Sequence, residues 1–274
     1  MGRLQSVIGF LLTVRVFTSS VVGSIVFGAA LVSGRTVTEA LLAGAPFTLA
    51  CMAGFALNDY FDATKDTVNR PYRAIPSGRL SRRAVLIVAA LAAVGAIVLS
   101  CLQQISPAGK IIYLSACLGV LLYNVVVKYF GFAKTGYTGM LSALPFAFCV
   151  FHYHYATYYW LFPLAVTTFV MGRELAMDIH DIEGDAKDGV YTAPMMWGVD
   201  SVRRWSMICQ FVGSLLLLLL AVFRNSVLAI VLAFLVVCLT AVVVILRMIS
   251  KECLAISIYT SWIPMLAAVP LLYI

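Results

Sequence analysis

The sequence predicts an all-α integral membrane protein of nine transmembrane helices, and three observations lead there. Hydrophobic residues make up 62% of the 274 positions and charged residues 11%, with a mean hydropathy of +0.99. A soluble domain of this length has no interior able to hide that much apolar surface. Apolar runs of spanning length fall near residues 9–32, 37–57, 84–103, 111–127, 136–151, 155–177, 205–223, 226–246 and 253–273. Finally, sixteen of the 19 lysines and arginines fall on one side of a nine-span topology, leaving Arg35, Lys110 and Arg224 on the other. The positive-inside rule then makes the N-terminus and the charged loops cytoplasmic and puts the C-terminus outside.

In chain order, the first run carries Arg15 and has only a thin basic flank. It is too long for a signal peptide and reads as a retained helix. The second run leads into Asn58–Ser81, NDYFDATKDTVNRPYRAIPSGRLS, where the chain turns acidic and then basic. Asn58, Asp62 and Asp66 are spaced i, i+4, i+8 and share one helical face, with Asp59 a turn from Asp62. Lys65, Arg70, Arg73, Arg79, Arg82 and Arg83 follow among Pro71, Pro76 and Gly78. Carboxylates for a hard cation beside arginines for phosphate are the composition that a diphosphate-handling site requires.

Spans three and four are aliphatic, with small residues (Gly95, Ala96, Gly119) suited to close packing, and the fourth ends in Tyr123 to Lys128. Pro145 and Pro163 are expected to kink the fifth and sixth spans beside a cavity. Between these spans, HYHYATYYW at 152–160 reads as an interfacial aromatic belt and its histidines are given no metal. A second acidic cluster, RELAMDIHDIEGDAKDG at 173–189, places Asp178, Asp181 and Asp185 on one face. Nine of the twelve acidic residues lie in the two clusters, whereas a solvated surface would scatter them and mix the signs. The last three spans read as scaffold. The seven cysteines sit mostly in apolar runs without CxxC spacing and read as small core residues.

The clusters lie about 120 residues apart, each at the expected cytoplasmic end of a span, which suggests a weak internal repeat. If they face each other, they offer oxygens for more than one Mg²⁺ and a bridging diphosphate. A transporter with intramembrane carboxylates would instead place its charges deep within the spans.

NDYFDATKD resembles the NDxxDxxxD signature of the UbiA superfamily of intramembrane prenyltransferases, and Asp181 and Asp185 match its second motif, DxxxD. NRPYRAIPSGRLS, YNVVVK and EGDAKDGVYTAP are also similar to the family, so the resemblance covers nearly the whole chain. It implies one domain over residues 1–274, with nine helices ringing a central cavity. It further implies Mg²⁺ held by Asn58, Asp62, Asp66, Asp181 and Asp185, with Asp59 and Asp178 as additional candidates. The aspartates of the two motifs, Asp62, Asp66, Asp181 and Asp185, would be catalytic. Arg70 and Arg73 would grip the phosphate, and Tyr123 and Lys128 would complete the substrate pocket. The activity implied is transfer of a prenyl group from a polyprenyl diphosphate to a lipophilic acceptor, aromatic or lipid-head, in the bilayer and without nucleic acid. The alternative is a terpene cyclase of the same superfamily, which needs no second acceptor. Two departures bear on the acceptor: Arg73-Ala74-Ile75-Pro76 replaces a common RPIP, and Arg15-Val16 replaces a common Arg-Pro.

Overall fold

The computed structural model describes residues 3–127, 130–187 and 189–273, and no strand occurs among them. Fourteen α-helices follow in order among the described residues: α1 Arg3–Thr13, α2 Val16–Val32, α3 Val37–Phe61, α4 Ala63–Asn69, α5 Arg82–Leu102, α6 Pro107–Val125, α7 Gly131–His152, α8 Leu161–His180, α9 Ile182–Lys187, α10 Ala193–Trp197, α11 Val199–Arg224, α12 Val227–Ile249, α13 Lys251–Thr260 and α14 Trp262–Ala268. Among the described residues six segments are long and apolar enough to cross a membrane, or seven when α1 and α2, bent by 49° at their junction, count as one. The runs expected at 136–151 and 155–177 are the helices α7 and α8, which do not reach that apolarity among the described residues. The last span is broken, with α13, α14 and a short 3₁₀ turn at Val269–Leu272 sharing one apolar stretch.

Several helix starts follow from local chemistry. Thr36 and Glu39 close a capping box at α3, and Ser81, Ser106, Ser226 and Ser250 each accept a backbone N–H at the start of α5, α6, α12 and α13. Pro163, expected to kink a span interior, instead sits in the first turn of α8. There the N–H it lacks would have had no intrahelical partner. Pro145 does lie inside α7.

The contacts divide the chain into two compact units, Met1–Lys128 with Phe151–Tyr153, and Tyr129–Val150 with His154–Ile274. In the first unit α3 packs on α2, α5 and α6. The α2 contact is close because Gly23 meets α3 at Gly44 and Thr48: a Cβ there would come within 1.9 Å of Thr48 Oγ1. Pro46 within α3 leaves the carbonyl of Leu42 without its helical donor. Gln103 Nε2 donates to that oxygen at 2.5 Å, and Tyr113 Oη donates to the next carbonyl, Ala43, at 2.6 Å. Ala56, Val85 and Ala89 bury the far end of α3 against α5.

In the second unit α8 and α11 form the main pair, with α12, α13 and α10 packed around them. Gly172 allows the approach, since a Cβ would meet the Ser206 carbonyl at 2.5 Å and Gln210 Cγ at 2.7 Å. Leu175, Ala176 and Ile179 of α8 join Ala193, Val202, Leu254 and Ile258 in one core. This packing fixes the helix end that carries the second acidic cluster. The aromatic run ahead of α8 forms a ring cluster, Tyr155 tilted against Tyr159 at 4.9 Å and Tyr159 stacked on Tyr158 at 5.0 Å, with Arg224 over Tyr159.

Candidate active site

The first acidic cluster is one helix interrupted at one residue. α3 stops at Phe61, Asp62 adopts φ −88° and ψ 9°, and α4 begins at Ala63. The i to i+4 ladder nevertheless runs through, from Asp62 N–H to Asn58 carbonyl at 2.8 Å, Asp66 to Asp62 at 2.8 Å and Arg70 to Asp66 at 3.0 Å. Asn58, Asp62 and Asp66 therefore stay on one face, as their spacing predicts. Asn58 Nδ2 donates to Asp62 Oδ2 at 2.8 Å.

Asp59 is buried and points to cations. Its Oδ1 accepts from Arg73 Nη1 and lies 3.7 Å from Arg15 Nη2, while its Oδ2 has no hydrogen-bond partner. Arg15 also reaches Asn58 Oδ1 at 3.5 Å and stacks 4.0 Å above the Phe55 ring. Its own backbone is left-handed, φ 42°, at the α1–α2 break. That conformation is costly for a non-glycine residue, and the contacts of the guanidinium offset the cost. Arg73 is itself buried in a tight loop, where Ser77 N–H and Oγ both donate to its carbonyl. Asp66 is buried too. Loss of water raises its pKa, opposed by the positive charges of Arg73 and Arg70 and reinforced by Asp62.

The second cluster repeats this construction within its own unit. α8 stops at His180, Asp181 adopts φ −93° and ψ 6°, and α9 begins at Ile182. The ladder again continues, Asp181 N–H to Met177 carbonyl at 2.8 Å and Asp185 to Asp181 at 3.0 Å. Three residues before the break, where the first motif has Asp59, stands Asp178. It is likewise buried, paired through Oδ1 with a cation, Lys134 Nζ at 2.7 Å, and unpartnered at Oδ2. His180 Nδ1 lies 3.0 Å from Asp181 Oδ1, and Asp185 is buried.

The expected site residues thus divide by role. In each motif one aspartate sits at the helix break and one lies four residues beyond, while the pair given as additional metal candidates, Asp59 and Asp178, hold cations. Arg70 is half-buried after the first motif, and Tyr123 is half-buried on α6. Its neighbour Asn124 donates to the Gly54 carbonyl of α3 at 3.3 Å. Lys128 lies outside the described residues. Lys134, Arg15 and His180 were not among the expected site residues. A lysine in the first turn of an otherwise apolar helix was the one available signal for Lys134.

Among the described residues no three His, Cys, Asp or Glu side chains form a set able to hold a metal alone. Magnesium takes one or two protein carboxylates and draws its other oxygens from phosphate and water. The donors present are hard oxygens, with Asn58, Asp62 and Asp66 on one helical face and Asp181 and Asp185 one helical turn apart, so the residues fit Mg²⁺ bound together with a phosphate.

Known proteins share the family and the fold. A digeranylgeranylglyceryl phosphate synthase of Methanoregula boonei is 34% identical over 215 residues, 73% of this chain and 72% of that protein. A structure solved in work on digeranylgeranylglyceryl phosphate synthase in membranes superposes with a TM-score of 0.74 at 22% identity, covering 98% of this chain and 97% of the other. A UbiA homolog from Archaeoglobus fulgidus, solved with GPP and Mg²⁺, shares the fold at a TM-score of 0.70 and 12% identity, covering 97% and 100%. The sequence model of the UbiA prenyltransferase family matches residues 16–267, and the chain belongs to that family of integral membrane prenyltransferases.

Proposed function

We propose that this prenyltransferase joins a polyprenyl diphosphate to the free hydroxyl of a prenylated glyceryl phosphate. The relatives named digeranylgeranylglyceryl phosphate synthase support this acceptor, because their product carries two geranylgeranyl groups on one glyceryl phosphate. The observation that carries the chemistry is the duplicated helix–break–helix motif, in which each break-site aspartate follows, three residues on, a buried aspartate that anchors a cation.

Asp62 and Asp66 with Asn58, and Asp181 with Asp185, would hold Mg²⁺, which when bound neutralises charge growing on the departing diphosphate. Arg73, fixed by Asp59, and Arg70 add donors for the phosphate oxygens, and Lys134, fixed by Asp178, adds a further positive charge. The allylic C1–O bond breaks with its electron pair leaving on diphosphate. The acceptor oxygen then bonds to C1, and its proton passes to the departing diphosphate or to water. The prenyl tails stay in lipid, and the charged loops face the cytoplasm by the distribution of lysine and arginine.

Reconstituted protein given geranylgeranyl diphosphate and geranylgeranylglyceryl phosphate should form the doubly prenylated ether and diphosphate in equal amounts. Product formed only with an aromatic acceptor, or a cyclised hydrocarbon without any acceptor, would overturn the assignment.

A further inference from the structure

α12 places Arg247 in the second unit as the bulkiest of the fully buried side chains. Its guanidinium bonds only to neutral oxygens: Nε donates to Ser257 Oγ of α13 at 3.1 Å, and Nη1 to Ser206 Oγ of α11 at 2.5 Å and to the Gly172 carbonyl of α8 at 3.4 Å. Nη2 has no partner, and neither amide atom of the buried Gln210 has one. Among the described residues no carboxylate pairs with Arg247. Ser206 Oγ donates to the same Gly172 carbonyl at 2.8 Å, so one α8 oxygen takes two side-chain donors from two other helices.

Taking a guanidinium out of water without a counter-anion is costly, and adhesion alone would be met more cheaply by a neutral side chain. What arginine adds is a planar fork that fixes several partners in one geometry. The bonded carbonyl lies six residues before Asp178 and nine before Asp181, about 9 and 13.5 Å along the axis at the helical rise. Gly172 is also a point where α8 lies too close to α11 for a Cβ, so the tie acts where the two helices are in tight contact.

We infer that Arg247 is a positioning residue for the second carboxylate motif: with Ser206 it locks α8 at Gly172 and so fixes where Asp181 and Asp185 present their oxygens. The inference rests on the proposed metal role of those two aspartates. Groups bonded directly to metal ligands change metal affinity by roughly 10–100-fold when removed, so a tie acting along the helix is expected at the lower end of that range.

The test uses the full chain in nanodiscs and reads Mg²⁺-dependent thermal protection with diphosphate present, alongside the Mg²⁺ midpoint for turnover. Arg247→Gln and Ser206→Ala should each raise the half-maximal Mg²⁺ for protection about tenfold. Ser257→Ala, which leaves the Gly172 tie intact, should lower the apo melting temperature and leave the midpoint in place. An Arg247→Lys variant keeps the charge but not the fork and should behave like Arg247→Gln. Should Arg247→Gln fail to fold, Ser206→Ala decides. Asp181→Asn is the reference: if it moves the midpoint and the Arg247 and Ser206 variants change only the melting temperature, the tie is adhesive and the inference falls alone. If Asp181→Asn leaves the midpoint unmoved, the metal assignment fails and the inference falls with it.

Discussion

Asp59→Asn tests whether the buried aspartate of the first motif anchors cations or binds metal. The substitution keeps the shape and removes one charge, leaving Arg73 buried and Arg15 half-buried without their carboxylate. Breaking a buried pair from one side costs roughly 3–5 kcal/mol. Coulomb attraction at 4 Å and an effective dielectric of 20 comes to about 4 kcal/mol. Asparagine retains an oxygen that Arg73 can reach, so the lower end applies, about 3 kcal/mol or a folded ratio lower by roughly 150-fold. Equilibrium unfolding in detergent, followed by tryptophan fluorescence, reads this loss. Adding Arg73→Met should recover about 2 kcal/mol, because the orphaned charge goes too, whereas independent contributions would sum. Activity should not return in the double variant, since the proposed phosphate contact is gone. A stable Asp59→Asn whose Mg²⁺ requirement rises, with no recovery in the pair, would refute the anchor and make Asp59 a ligand.

Asp62→Ala and Asp181→Ala should each abolish turnover while the protein inserts and folds, and robust product formation by either variant would remove the metal role of the break residues. Burial raises the Asp66 pKa, so the folded apo protein holds that proton at higher pH than the unfolded chain. Its contribution to stability is therefore fully present below the ordinary carboxylate range and is lost as pH rises through the raised value. Protection by Mg²⁺ should change in the opposite direction, growing as pH rises. Both trends should flatten in Asp66→Asn thermal melts. Single cysteines placed near Arg79 and Gly189 should label from the same side of the membrane, with a cysteine at Tyr273 labelling from the other. Labels on opposite sides for the first two would refute a shared cytoplasmic position for the motifs.

Most of the fold was legible because membrane solvent demands long apolar helices, and expected and observed boundaries at α3, α5 and α12 differ by only a few residues. Carboxylate spacing was legible for the same reason, since a helix period projects Asn58, Asp62 and Asp66 onto one face. The interruption at Asp62 and Asp181 was not: the ladder of hydrogen bonds continues across it, so the period gives no sign of a break. The pairing of Asp178 with Lys134 was also hidden, because 44 residues separate them and only the fold brings them together. The expected run at 155–177 is α8, whose Arg173, Glu174 and Asp178 lower its average hydropathy although its apolar residues are largely buried against protein.

The two side chains that reach α3 around Pro46 bear on the order in which the membrane protein is made. Leu42 presents an oxygen that its own helix cannot satisfy, and the donors that satisfy it and its neighbour come from Gln103 and Tyr113, 61 and 70 residues later in the chain. Wherever this end of α3 enters lipid, an unsatisfied carbonyl costs several kcal/mol. The nascent α3 therefore gains by remaining in a hydrated insertion channel, or at the interface, until α5 and α6 have been synthesised. Release into lipid then becomes a concerted event for these helices. Gln103→Leu would expose that dependence as slower insertion and faster degradation of chains truncated after α6, with little change in the catalytic constants of the molecules that mature.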